Sequence, residues 1–413
     1  MEGSVRARVE TFDDRPRLAD AASGSVLLFR SELSLTYRGD GFALGGELID
    51  SRAYLSDDSI GPSTSESNAL EPSQAWVELD VAPSARLRLG RFHMNLGSRR
   101  LISRNGYRNT VNSFTGARLD WTAASGAEAT LFWTMPHNRR PSDDEELLNN
   151  AVRLDRERDE LQLFGSYLVG QPTPVGDLDL YGIGLLERDS AGYQARNRRL
   201  ATLGGRLWRA PEAGRIDYSV EGAWQTGTSR DSAAAVDRFD RTVAAGTLQV
   251  NLGYSIGIDW RPRVTVSFDY ASGDGPGGRQ GRFDTLYGSR SFEFGPTSEF
   301  GPLARANLLS GSIRLEAKPG DRLEAHIQAR PLWLAEATDA FGTTGLRDPT
   351  GRSGRFAGTE YDARVQYWLV PDRLRGGIWL AWLDRGRFLR EVPGTADEPG
   401  DALYGAVEIT ASF

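Results

Sequence analysis

Along most of the chain apolar and polar residues alternate in short runs, the period of a strand with two unlike faces and not of a helix. Leu27, Phe29, Leu33, Leu35 and Tyr37 fall on one parity, against Arg30, Glu32, Ser34, Thr36 and Arg38 on the other. Val77, Leu79 and Val81 oppose Gln74, Glu78 and Asp80 in the same way, and Leu161, Leu163, Tyr167 and Val169 oppose Glu160, Gln162 and Ser166. Val264, Val266, Phe268 and Tyr270 oppose Arg263, Thr265, Ser267 and Asp269. The clearest segment is the last: Leu403, Gly405, Val407, Ile409, Ala411 and the terminal Phe413 share one face, with Tyr404, Glu408, Thr410 and Ser412 on the other. About 18 such segments fit the chain, within the range of bacterial membrane barrels.

The connections sharpen this picture. Short turns at Arg38–Gly41, Val81–Ser84, Arg209–Gly214, Lys318–Gly320 and Val370–Asp372 are rich in residues that fix turn dihedrals. They alternate with long polar loops near Met94–Ser113, Met135–Arg158, Ser272–Ala306, Ala337–Arg355 and Arg387–Asp401. Long loops after odd strands and short turns after even ones predict an antiparallel transmembrane β-barrel, all-β, one domain over residues 1–413, with both termini periplasmic. Gly170–Gly176 reads as a longer turn than its peers, and Trp121, Trp133, Trp208, Trp224, Trp260, Trp333, Trp368, Trp379 and Trp382 as interfacial girdles.

Composition narrows the chemistry. Glycine at 47 residues with only 39% hydrophobic residues suits many short strands, and no stretch approaches the length of an apolar membrane helix, a test that barrels escape. The absence of cysteine and the presence of only 3 histidines leave little for metal or thiol chemistry. A net charge of -7 argues against nucleic acid as partner. All but one of the 49 cations are arginines, Lys318 being the exception. Guanidinium keeps its charge and grips carboxylates in a fork, so this bias fits ion-paired walls or recognition of anions. Met1–Gly3 reads as a start that replaces a removed signal peptide, and the amphipathic strand ending at Phe413 as the signal read by barrel assembly machinery.

Leu89-Gly90-Arg91 followed by Gly97-Ser98-Arg99-Arg100-Leu101-Ile102 and Phe114-Thr115-Gly116 resembles the alginate-export family of outer-membrane proteins, with Thr115 where the family has Asp. Tyr270–Asp274, Phe283–Tyr287, Phe300-Gly301-Pro302, Trp333-Leu334-Ala335 and Gly358–Asp362 are similar to it in order along the chain. The resemblance implies an 18-stranded, monomeric barrel in the outer membrane of a Gram-negative bacterium, with an arginine-lined pore that attracts an acidic polysaccharide.

With apolar residues toward lipid, parity sends the candidate solute-binding residues Arg30, Glu32, Arg88, Arg118, Asp120, Arg263, Arg314, Glu316, Arg330, Asp362 and Arg364 into the lumen. Arg91 joins them only if a bulge or strand end turns it, because its parity matches Leu87 and Leu89. The expected function is an anion-selective channel for an acidic polysaccharide or another small polar or anionic solute; an uptake porin for small organic acids or sugars and a plugged structural barrel are the alternatives. No catalytic residue is expected. His326 lies on a polar face, as a membrane phospholipase would need, but no serine marks itself as nucleophile. No cofactor is expected beyond a Ca²⁺ ion that Asp143–Glu146 could hold in an extracellular loop.

Overall fold

The computed structural model describes residues 1–17, 23–54, 63–296, 300–395 and 399–413. Its eighteen long strands follow one another around a closed sheet. In chain order they are β1 (Glu2–Asp13), β2 (Gly24–Arg38), β3 (Phe42–Tyr54), β4 (Asn68–Ala82), β5 (Ala85–Phe92), β6 (Phe114–Thr122), β7 (Glu128–Pro136), β8 (Leu161–Thr173) and β9 (Gly176–Glu187). The second half comprises β10 (Arg199–Arg209), β11 (Ile216–Ser229), β12 (Arg241–Ser255), β13 (Arg263–Ala271), β14 (Leu308–Ala317), β15 (Leu323–Trp333), β16 (Phe356–Val370), β17 (Leu374–Arg385) and β18 (Ala402–Ser412). The seam closes where β1 pairs with β18, from Ser4 opposite Ser412 to Asp13 opposite Leu403. Closure leaves no strand edge unpaired, which a sheet in hydrocarbon requires. Both termini lie at the end that carries the short turns.

Alternation becomes sidedness. Val407 is 60% exposed and Ile313 51%, while their inward neighbours Glu408 and Ser312 are 6% and 7% exposed. This is an inverted protein: the apolar face is the outer one, a lipid environment, and the polar face is packed inside.

Three details differ from the pattern reading. In β8, Leu161, Leu163 and Tyr167 are buried in the lumen, and Ser166, Leu168 and Pro172 are the exposed residues. Here the inner wall meets apolar loop residues, among them Met94 and Leu96, so it is apolar on both faces. Second, Gly170–Gly176 is no long turn: β8 and β9 stay paired to Thr173 and Gly176, the register shifting between Leu168 and Gln171, and only Pro174 and Val175 reverse the chain. Third, Trp379 is 5% exposed and faces the lumen, where its ring meets Tyr107, so it belongs to no outer girdle.

Two of the long loops turn inward. Residues 93–113 and 272–296 cross the lumen side by side, joined where Ser103 N donates to Tyr287 O, Tyr287 N to Leu101 O and Ser289 N to Arg99 O. A short helix, α1 (Asp144–Leu148), lies in the loop between β7 and β8.

Candidate functional site

The segment from Arg104 to Asn112 forms a strap across the lumen, and strand residues hold its backbone. Arg30 donates to the carbonyls of Gly106 and Arg108, both at 2.8 Å. Arg8 donates to Tyr107 O at 2.7 Å, and Arg6 to Arg108 O at 3.0 Å. Asn109 Nδ2 donates to Phe29 O and Glu66 O, and the Tyr107 hydroxyl meets that of Tyr404 at 3.1 Å. Buried carbonyls this well satisfied do not leave their partners cheaply.

The strap separates two chambers. The one toward the short turns encloses about 340 Å³ and is lined by residues of both signs, among them Arg30, Arg314, Arg364, Arg375, Asp362 and Glu408. The one toward the long loops encloses about 650 Å³; its lining includes Arg17, Arg108, Arg139, Arg290 and Arg305, and no acidic side chain among the described residues.

Most of the arginines and acids that parity sends inward bind each other. Arg88 pairs with Glu78 and stacks on Trp76 at 4.2 Å. Arg118 holds Asp120 at 2.8 Å, and Arg263 bridges Asp217 and Glu316. Arg330, fully buried, binds Asp269 at 2.7 Å together with the hydroxyls of Ser310 and Ser312. Glu32 is shared by Arg30 and Arg104. Asp362 accepts from His326 Nε2 at 3.0 Å, while His326 Nδ1 faces Arg314 at 2.8 Å. That leaves His326 bonded to no serine among the described residues. Arg91 does turn inward: Gly90, with φ +116, breaks the alternation, and Arg91 bonds the buried Glu71. Of the twelve, Arg30, Arg314, Asp362 and Arg364 share the smaller chamber. Arg364 lies over the Trp379 ring at 4.8 Å, with no carboxylate within 4 Å among the described residues.

The larger chamber is built from residues the alternation cannot reach, because they sit in loops. Arg108 Nη2 and Arg139 Nη1 both donate to Asn112 Oδ1, at 2.6 and 3.0 Å. Arg290 donates to Leu303 O. Among the described residues none of the three has a carboxylate within 4 Å. Burial, then the proximity of Arg139 and Arg290, holds Arg108 well below the usual guanidinium range, and burial with Arg17 nearby pushes Arg290 down to about 10. Guanidinium is not deprotonated in proteins, so both carry their charge. A signal for this chamber was present in the sequence: Met94, Leu96, Leu101 and Ile102 are apolar residues in an otherwise polar loop, as a segment packed inside requires.

Glu71, His137 and Asp155 bring one ligand atom each within 4.8 Å of one another. The Arg91 guanidinium already bonds Glu71, supplying the positive charge a metal would bring. Burial, reinforced by Glu71, pushes Asp155 up to about 7, and burial beside Arg91 pushes His137 down to about 4. In the acidic loop, Asp143 caps helix α1 by accepting from Glu145 N and Glu146 N, and Glu146 binds Arg153.

A family model described as alginate export matches residues 1–399. Among solved structures, Pseudomonas aeruginosa OccK9 (OpdG) superposes with a TM-score of 0.63 at 13% identity, over 100% of this chain and 97% of that one. Pseudomonas aeruginosa OccK3 (OpdO) gives 0.59 at 16%, over 100% and 95%. Pseudomonas aeruginosa OpdK, solved with vanillate, gives 0.61 at 12%, over 100% and 98%. The chain has no match among curated protein sequences.

Proposed function

The chain belongs to the alginate export family of outer-membrane β-barrels, and from that premise we propose an anion-selective channel for an acidic saccharide or another small anionic solute. It works as a monomer, with the short turns and both termini in the periplasm and the long loops outside the cell. The observation that supports anion selectivity is the contrast in partners. Lumen carboxylates such as Glu78, Asp120, Asp217, Glu221 and Asp269 are tied to arginines, whereas Arg108, Arg139, Arg290 and Arg364 have no carboxylate within 4 Å among the described residues. Bound pairs cancel at a distance, so the unpaired guanidiniums set the field that a permeating ion meets. The net charge of -7 is then no guide to selectivity, since part of it is spread over the long loops, as at Asp143–Glu146.

Reversal potentials in a salt gradient across a planar bilayer test this reading. Anions should permeate better than cations, and the preference should shrink as salt rises, because screening shortens the reach of fixed charges. Cation preference in the unmodified protein would overturn it.

A further inference from the structure

Three guanidiniums in the larger chamber lack the carboxylate that other arginines of this barrel possess, Arg305 of the same chamber among them. Arg100 lies between Glu221 and Glu293, Arg330 binds Asp269 and Arg8 binds Glu10. By contrast, Arg108 and Arg139 share a single neutral amide oxygen, Asn112 Oδ1, and Arg290 has a backbone carbonyl. Two like charges converging on one uncharged acceptor repel each other, and the arrangement is completed by an anion that both can grip. The acids that act electrostatically on the pair, Glu66 and Asp155, do not line the chamber.

The rest of the lining describes the remainder of the ligand. Thr64, Ser65, Thr285 and Asn105 bring hydroxyl and amide groups to the same space, and Tyr287 brings a ring. A volume of about 650 Å³ falls in the range of small-molecule sites, roughly 300–1,000 Å³. The strap bounds the ligand's length. A polymer crossing the barrel must occupy both chambers at once, past Gly106 and Tyr107, whose carbonyls are held by Arg6, Arg8 and Arg30.

We propose that the chamber framed by Arg108, Arg139 and Arg290 is a binding site for a small polyhydroxylated carboxylate, one sugar acid in size, and that the channel passes such monomers and not a polymer strand. This rests on the anion-channel reading and adds the ligand's class and size to it.

The probes are glucuronate, glucose as its uncharged counterpart, and a uronate oligomer of about ten units. In planar bilayers, glucuronate should carry current as the sole anion and should interrupt the chloride current, glucose should do neither, and the oligomer should not permeate. Arg139→Gln with Arg290→Gln should weaken glucuronate interruption at least tenfold while the unboiled protein keeps its fast gel mobility; Arg153→Gln, at an exposed loop arginine paired with Glu146 outside both chambers, should leave it within about twofold. Calorimetric titration of the unmodified protein in detergent with glucuronate, and of the single Arg290→Gln variant, decides the matter if the double variant does not fold. Undiminished interruption in the double variant, no heat with the unmodified protein, or an oligomer that permeates as readily as glucuronate overturns the proposal. An anion-selective channel indifferent to glucuronate would remove this site alone, whereas a cation-selective one would remove the broader reading too.

Discussion

The two chambers hold similar numbers of arginines and differ in what those arginines touch. Toward the short turns, Arg30 and Arg314 have Glu32, Glu316 and Asp362–His326 as neighbours, which return their charge to the wall, while Arg364 and Arg375 lie over the Trp379 and Trp368 rings. Toward the long loops Arg305 keeps Glu293, but at Arg108, Arg139 and Arg290 the Asn112 amide and a main-chain carbonyl take the place of carboxylates. The number of guanidiniums in a lumen therefore says little about its field; the identity of the acceptor decides it. An arginine on a carboxylate is a strut, and one on an amide is a charge still looking for its counterion.

The largest effect should come from cutting the strut that holds the loops in place. Arg100→Met strips one partner each from Glu221 and Glu293, a loss on the order of 3 kcal/mol for a buried pair. Loop 272–307 should then become open to protease and the single-channel conductance should rise severalfold; an unchanged digest would show that the wall charges do not anchor the loop.

Asp155 comes next. Its folded pKa of about 7 lies above the ordinary 3.8, so the protonated form is favoured on folding, and the loop loses stability as pH rises from about 4 to 7. Asp155→Asn keeps an oxygen for Asn68 Nδ2 and Arg140 N and should remove that loss, on the order of 2–4 kcal/mol at pH 8. Hydrogen exchange in residues 137–160, followed from pH 5 to 8, should flatten in the variant and slow at the alkaline end. Equal pH dependence in both proteins would contradict the carboxyl pair.

Smaller still, and closest to the chamber comparison, is charge neutralisation in the wall. Converting Arg118 to Gln together with Asp120 to Asn removes a bound pair and should change the anion-to-cation permeability ratio by less than about twofold, since a bound pair carries little net field. A large shift would mean that wall pairs contribute to the field after all. The smallest effect is expected at the seam. Phe413 exchanges two backbone bonds with Gly3 and lays its ring against it, yet the side chain is 68% exposed. Phe413→Ala should lower the assembled fraction on an unboiled gel without changing the total made, and normal assembly would deny the residue a part in recognition.

The barrel was legible in the sequence because lipid imposes alternation on each strand: β11, β13, β14 and β18 face as their apolar residues predict. β8 misled because the same alternation has two causes, lipid outside or apolar loop residues inside, and Leu161, Leu163 and Tyr167 answer to the second. The ion-paired wall was readable from parity, since cross-strand neighbours such as Glu78 and Arg88 face each other in register. Arg108, Arg139 and Arg290 were not, because loops have no period and their placement depends on contacts far along the chain, such as Asn112 with Tyr287 O.

The strap also bears on how the barrel comes to be closed. Beside Arg30 of β2, its grip comes from the first and last strands: Arg6 and Arg8 come from β1, while Glu408 and Tyr404, which meet Arg6, Arg8 and Tyr107, come from β18. These are the two strands whose pairing closes the sheet. If the loop were not yet inside, Arg8 and Glu10 would be buried at the seam without the Tyr107 ring and carbonyl that complete their surroundings. The contacts that fill the lumen and those that seal the wall thus draw on the same side chains.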